Sequence, residues 1–400
     1  MFVKHVTLAN FRNHSYSEVE FRPGVSVIAG ENGHGKTNLV EAIHYLATLS
    51  SHRTAGYIPL IGKTAETAVV KLKVSHNLRE AVVSVELSRN AKNQVSINGT
   101  KSPRNRDVLG YVQTVTFAPE DLDMVKKEPG FRRAFIDGLL IQLTPRLAGV
   151  FADYDRVLKQ RNTLLKSAKQ NRVSGSSLAT LDAWDEQLVN LGAQILVARR
   201  DLVDRLNPKL AEAYSQIAAT NNKVEIQVKS SLLSSTVPGF EEEEDLEGLE
   251  FLPQVTSDEA IQLFRTRLIE VRPKEIERGL TLCGPQRDDL ILLLNDMPAK
   301  HYASHGESWS YALAMRLASR ELLREDSNYG DPVLILDDVF AELDLGRRTR
   351  LAELVSNNEQ VLITSAELND VPELLRTNVY QVRRGQVTSL GFGGEATIDE

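Results

Sequence analysis

The sequence predicts an α/β fold: one head assembled from both ends of the chain, with a β-rich subdomain and a helical insertion between them. Three patterns predict it. A strand, a glycine-rich loop and a helix follow one another within residues 25–49. Period-two alternation then runs from Ala68 to Thr116, and strands and helices alternate from Leu290 onward, as in a sheet covered by helices. A chain of 400 residues has room for two or three lobes. The expected divisions are 1–130 and 276–400 for the two parts of the head and 131–275 for the insertion.

Val3–Leu8 and Val19–Phe21 read as strands, and Val25–Ala29 as a buried strand ending in glycine. From Lys36 to Leu49 the apolar positions Leu39, Ile43, Leu46 and Leu49 make a helical stripe. AVVKLKV, AVVSVEL and QVSI are strand-like, and Asn98-Gly99 suits a type I′ hairpin turn. Beyond Phe131 the residues Leu181, Trp184, Leu188, Leu191, Ile195, Ala198 and Leu202 keep the a/d rhythm of a short coiled coil. Phe151, Tyr154, Leu158 and Leu165 form a partner stripe interrupted by Arg161. Ser167–Ser177 reads as the exposed reversal between them, giving a protruding antiparallel arm rather than a pair packed inside a core. Val224–Val228 is a strand, Asp258–Ile269 a helix, and Leu290–Leu294, Val333–Leu336 and Gln360–Thr364 are strands around helices at Tyr311–Leu323 and Arg347–Val355.

At 42% hydrophobic and 25% charged residues, the composition is that of a soluble globular protein. No apolar run approaches the roughly 18 residues that span a bilayer. The opening MFVKHVTLANF lacks a signal core, and the single cysteine, Cys283, excludes a disulfide framework. The expected location is cytoplasmic, with no membrane partner. Forty-seven basic against 54 acidic residues give a net charge of −7, and seven of the acids fall in Glu241–Glu250, read as a solvated loop. A uniformly basic nucleic-acid binder is excluded, but local basic patches are not.

Gly30-Glu31-Asn32-Gly33-His34-Gly35-Lys36-Thr37 matches G-x-x-x-x-G-K-[ST] between a strand and a helix. Glycines let backbone N–H groups wrap a phosphate chain, and the helix start adds its positive end. Lys36 would reach the β- and γ-phosphates of ATP, and the Thr37 hydroxyl would meet Mg²⁺. Val333–Leu336 delivers Asp337 and Asp338 at a strand end, with Asp337 on the metal side and Asp338 as catalytic base. Ser304, Gly306 and Glu307 precede a helix and form a second anion-binding device. Ala341–Asp344 follows the paired acids.

Together GENGHGKT, SHGE and LILDDVFAELD resemble the ABC-type ATPase heads of DNA-repair and chromosome-organising proteins. More narrowly, LANFRNH, SHRT (Ser51–Thr54), FAPEDLDMVKKEPGFRRAFID (Phe117–Asp137) and GPQRDDL (Gly284–Leu290) resemble the RecF family across nearly the whole chain. The resemblance implies an ABC-type P-loop ATPase head in which Ser304, Gly306 and Glu307 form the signature loop and Ala341–Asp344 the D-loop. It also implies that Arg12 and Asn13 help to bind the nucleotide. A switch histidine is missing after the last strand, leaving Thr364 or Ser365, and the Q-loop candidates are Gln113, Glu120 and Asp121. The implied activity is weak ATP hydrolysis used as a switch.

Family resemblance further implies an ATP-dependent homodimer on double-stranded DNA near single-strand gaps, helping RecR and RecO to load RecA, and a part in replication and SOS induction. The candidate DNA contacts are Lys63, Lys71, Lys73, Arg104, Arg106, Lys126, Lys127, Arg132 and Arg133. The alternative is a structural SMC-like chromosome-organising ATPase. A helix of about 30 residues spans only ~45 Å at 1.5 Å per residue, short for such a tether. A transporter subunit is opposed by the distant signature, and scattered histidines support no metal hydrolase.

Overall fold

The computed structural model describes residues 1–54, 56–76, 79–171, 179–233, 250–327 and 330–392. The chain opens with β1 (Phe2–Phe11), β2 (His14–Glu20), β3 (Gly24–Ala29) and α1 (Lys36–Thr48). Strands β4 (Thr67–His76), β5 (Arg79–Ser88), β6 (Gln94–Ile97), β7 (Thr100–Lys101) and β8 (Thr114–Phe117) follow. A helical stretch holds α2 (Leu122–Lys126), α3 (Pro129–Leu143), α4 (Leu147–Asn171) and α5 (Ala179–Ala218). Next come β9 (Val224–Lys229), α6 (Ser257–Arg278), β10 (Asp289–Leu294), β11 (Met297–Pro298), α7 (Ala299–Tyr302) and α8 (His305–Asp326). The chain continues through β12 (Val333–Asp337), α9 (Leu345–Val355), β13 (Gln360–Ser365), β14 (Asn378–Arg383) and β15 (Gln386–Phe392).

The chain folds as two compact units. The first holds Met1–Leu122, Glu212–Thr220 and the chain from Trp309. It contains an antiparallel sheet ordered β2-β1-β4-β5-β6-β7 and a second sheet ordered β15-β14-β3-β13-β12-β8. In the second sheet β14, β3, β13, β12 and β8 all run parallel. Central parallel strands are covered on both faces, so they read as unbroken apolar runs; every residue of β12 and β13 is buried. The α1 stripe Leu39, Ile43 and Leu46 is fully buried in one core with Val6 and Leu8 of β1 and Leu72 of β4. Burying each such side chain stabilises the fold by about 1.5–3 kcal/mol. Asn98 and Gly99 both have positive φ, as the hairpin reading requires.

The second unit holds Asp123–Ala211 and Asn221–Ser308. It combines the helices with a three-stranded antiparallel sheet ordered β11-β10-β9. Residues 276–308, expected with the C-terminal part of the head, group here because β10 pairs with β9 along its length and α3 packs against it. The expected two-helix arm is corrected to a three-helix bundle. α6 packs on α4, and its Arg265 and Arg272 form ion pairs with Glu186, Asp182 and Asp185 of α5. The apolar face of α5 is accordingly wider than a seam, adding buried Val189, Ala193, Leu196 and Val203. Arg161, read as an interruption, is wholly buried. Its guanidinium donates to Asp185 Oδ1 at 2.6 Å, Glu275 Oε2 at 2.6 Å and Thr281 Oγ1 at 2.8 Å.

Two sequence expectations fall partly or wholly outside the described residues. α4 continues through Asn171, so 167–171 belong to a helix, and 172–177 are not described. The acidic run lies outside the described residues except for Glu250.

Candidate functional site

Parallel pairing aligns the C-terminal ends of β3, β13, β12 and β8 along one edge of the second sheet, with Ser365 opposite Ala29 and Asp337 opposite Thr364. Ligands of open α/β sheets bind at such an edge. The loop Gly30–Gly35 leaves β3 there and turns into α1. Gly35 has φ +112, and a Cβ on it would lie 2.8 Å from both Asn13 Oδ1 and His14 Nε2. Only glycine suits both the conformation and the close approach. A Cβ on Gly30 would meet the Val382 carbonyl oxygen at 2.4 Å.

The β1–β2 turn braces this loop. Asn13 Nδ2 donates to the Gly33 carbonyl at 3.3 Å, and Asn13 Oδ1 accepts from Asn38 Nδ2 at 2.7 Å. His14 Nε2 donates to the Gly35 carbonyl at 3.0 Å, and its Nδ1 lies 2.9 Å from the Gly385 carbonyl. Burial lowers the pKa of His14 against the opposing pull of those carbonyls. His34 is held in turn, its carbonyl accepting from Gly385 N at 2.9 Å.

Lys36 is buried, with Nζ 3.3 Å from the Glu31 carbonyl and 3.4 Å from Asn32 Oδ1, an ammonium folded over its own loop. Thr37 Oγ1 donates to Asp337 Oδ1 at 2.9 Å. Thr364 Oγ1 donates to the same oxygen at 2.5 Å and accepts from Asp338 N at 3.0 Å. Asp338 stands in the left-handed region at φ 51. Its pKa is raised above 3.8, first by burial and then by the Asp337 charge, with Lys36 opposing. Among the switch candidates Thr364 therefore touches both acids, whereas Ser365 donates to the Glu367 carbonyl.

Arg12 adjoins Asn13 at the β1–β2 turn that braces the loop. It makes a two-point pair with fully buried Glu41 of α1, Nε to Oε2 at 2.9 Å and Nη2 to Oε1 at 2.7 Å. Glu41 also accepts from Ser51 Oγ at 2.5 Å, so LANFRNH and SHRT meet on one helix. Of the Q-loop candidates, Gln113 precedes β8 and lies at the opposite edge of the sheet, its carbonyl accepting from Val333 N. Asp121 is tied to Arg316 at 2.6 Å. Exposed Glu120 is left at the correct edge and contributes to the raised pKa of Asp338.

Sequence reasoning missed His52, whose buried imidazole lies 3.9 Å from Asp337 Oδ2. It also missed His44, packed edge-on to His52 and within 3.0 Å of the Thr114 and Thr116 hydroxyls. Burial first, then His52 and Arg316, push the His44 pKa well below 6.5. The only signal was the SHRT motif itself.

In the second unit Ser304 opens α8 through reciprocal bonds with Glu307. Ser304 N and Oγ donate to Glu307 Oε2 at 2.9 and 2.7 Å, and Glu307 N donates to Ser304 Oγ at 3.3 Å. This capping box leaves the Gly306 region at the helix's positive end. The basic candidates divide. Arg132 is buried on Asp289 at 2.7 Å, Arg133 donates to the Asp288 carbonyl at 2.7 Å, and Lys126 donates to backbone carbonyls. Lys73 pairs with Glu80 and Lys127 with Asp123. Lys63, Lys71 and Arg104 are exposed. Among the described residues no helix is long and apolar enough to cross a membrane.

Strand order, loop and paired acids define the head fold of ABC-type ATPases. A family model described as RecF/RecN/SMC N terminal domain matches residues 2–388. The chain is 49% identical over 388 residues to the DNA replication and repair protein RecF of Clavibacter sepedonicus, covering 97% of this chain and 95% of that one. To the protein of the same name from Streptomyces avermitilis it is 48% identical over 390 residues, covering 97% and 99%. The structure matches the recombination mediator protein RecF-ATPrS in the RecFOR pathway with a TM-score of 0.84, 28% identity and 98% of both chains covered. A Smc head domain from Pyrococcus furiosus shares the fold at a TM-score of 0.51 and 14% identity, with 98% of this chain and 96% of that one covered. The chain belongs to the RecF family.

Proposed function

We propose that the chain is an ATP-switched DNA-binding protein of recombinational repair, a RecF-type mediator that pairs on duplex DNA beside single-strand gaps. The observation that carries this reading is the meeting of Thr37, Asp337 and Thr364 within hydrogen-bond distance, from three separate elements. Two hydroxyls and a carboxylate form the all-oxygen donor set that a hard cation requires. Mg²⁺ bound there would offset charge on the phosphates of ATP. Lys36, held by a loop carbonyl and an amide oxygen, is placed to turn onto the β- and γ-phosphates. Gly30–Gly35 would present backbone N–H groups to the same chain of phosphates.

Asp338 would accept the proton of a water whose oxygen attacks the γ-phosphorus, with ADP leaving. An acid with a raised pKa suits that task, since its proton affinity lies nearer the working pH. With no histidine after β13 and no Q-loop glutamine at the edge among the described residues, hydrolysis would be slow and would serve as a timer. Ser304, Gly306 and Glu307 of one copy would close over the nucleotide of the other, so ATP would set the lifetime of the dimer. Exposed basic residues such as Lys63, Lys71 and Arg104 would then act from two copies at once on DNA phosphates, a salt-sensitive and sequence-indifferent contact. RecR with RecO would be partners, and RecA would be loaded downstream. The RecF relatives and the RecF-ATPrS structure support this reading. Even α5, the longest described helix at 40 residues, spans only about 60 Å, which disfavours a chromosome tether.

Sedimentation of the purified chain with and without ATP–Mg²⁺, and with a gapped duplex added, tests the proposal. The expected result is a shift from monomer to dimer with ATP, and retention on the duplex only in that state. A chain that stays monomeric with a non-cleavable analogue and gapped DNA would refute it.

A further inference from the structure

Lys126, a candidate DNA contact by sequence, turns its side chain onto the protein's own backbone. Lys126 Nζ donates to the Ala303 carbonyl at 2.6 Å and to the Lys300 carbonyl at 3.3 Å. One carbonyl lies in the first turn of α7 and the other immediately precedes the capping box. The ammonium is itself held in place. Arg132 donates to the Met124 and Lys127 carbonyls at 3.2 and 2.8 Å, fixing the end of α2, and clasps Asp289 at the start of β10 through both Nε and Nη2. Asp289 Oδ1 in turn accepts from Leu290 N at 2.7 Å. The strand leads through β11 into α7, so the network closes on the same turn from both sides.

We propose that Lys126 is a positioning residue for the Ser304 turn. It fixes the backbone ahead of α8 and places a cation next to the turn that is to receive a phosphate from a second copy. Ser304 is already committed to Glu307, whose carboxylate would repel an incoming phosphate; the ammonium beyond the Ala303 carbonyl offsets that charge where the helix end meets the anion. The inference rests on the pairing proposed above and deepens it by naming what prepares the capping surface.

The test compares the wild type with Lys126→Met, Lys126→Arg and Lys126→Gln by sedimentation equilibrium with a non-cleavable ATP analogue and Mg²⁺. Binding of a fluorescent ATP analogue to the monomer and the thermal midpoint are measured alongside. Loss of a charge-assisted bond should weaken ATP-driven pairing of the methionine and glutamine variants about tenfold or more. Monomer nucleotide affinity should stay unchanged, and arginine should restore most of the pairing. Equal pairing by Lys126→Gln and wild type overturns the role of Lys126 alone. So does a matching loss of monomer ATP binding, which marks a general structural defect. A wild type that does not pair overturns the reading beneath and this one with it. If the methionine variant does not fold, the glutamine and arginine pair decides, since a lost charge should separate them and a packing role should not.

Discussion

Asp338 carries two demands that conflict. Its backbone occupies the left-handed region and its carboxyl is half-buried beside a second acid, an arrangement kept for chemistry at the expense of stability. An acid whose folded pKa lies above its unfolded one destabilises the fold as pH rises through the interval between them, because the unfolded chain gives up its proton first. The penalty is absent below about 3.8 and complete above the raised folded value. Asp338→Asn should therefore raise the thermal midpoint of the nucleotide-free protein at neutral pH and have no such effect in strong acid. The same variant should stop phosphate release and trap the ATP-bound dimer; normal turnover would remove Asp338 from the reaction. Thr364→Val removes one hydroxyl that serves both acids, and urea unfolding should show a loss of about 1–3 kcal/mol. The sequence made the two acids legible because a buried strand that ends in charge has few structural reasons to do so. Thr364 was only one of two switch candidates, since nothing in a run of apolar residues says which hydroxyl faces the neighbouring strand. Arg12 comes from resemblance alone, and no pattern in the sequence announces its buried partner Glu41.

At the level of elements, periodicity located α1, β4, β5 and β10 closely and the first part of α5, because each buries one regular face or both. It failed at Arg161. A cation in an apolar stripe reads as a break, and only the fold shows that Asp185 of α5 and Glu275 of α6 converge on it to form a buried cluster of three helices. The long range of those partners, 24 and 114 residues away, is what hid them. Removing one member of a buried ion cluster leaves the others uncompensated, a loss of about 3–5 kcal/mol. Arg161→Met should lower the urea midpoint of the helical signal accordingly; a change under about 1 kcal/mol would show the cluster to be dispensable. The seam likewise suggested two helices because the apolar residues of α6 are sparser, and its contribution is made by arginines as much as by Phe264 and Leu268.

For the molecule as a whole, the ABC-type head was legible from motifs at both chain ends, while the grouping of residues 276–308 was not. A strand's partner is chosen by register and by what covers it, and β10 is apolar from Leu290 to Leu294 and buried throughout, which fits either sheet equally well on pattern alone. Two variants separate nucleotide binding from pairing. Lys36→Met should abolish ATP-driven dimerisation together with monomer ATP binding. Ser304→Arg should leave the monomer's nucleotide affinity intact and yet hold the chain monomeric in sedimentation with the ATP analogue. Loss of monomer binding in Ser304→Arg would detach the turn from the role assigned to it.

The placement of β3 between β13 and β14 bears on how the protein is made. The P-loop strand leaves the ribosome well before its neighbour β13, which emerges about 330 residues later, an interval on the order of 15–70 s at ordinary translation speeds. Throughout that time β3 is an apolar strand with neither flank paired, the kind of segment that invites chaperone capture. A ribosome-stalled chain lacking β12 and β13 could not place Asp337 against Thr37, so nucleotide affinity should arise late and all at once in synthesis. Competence for ATP would in that way report that the two distant halves of the sheet have come together.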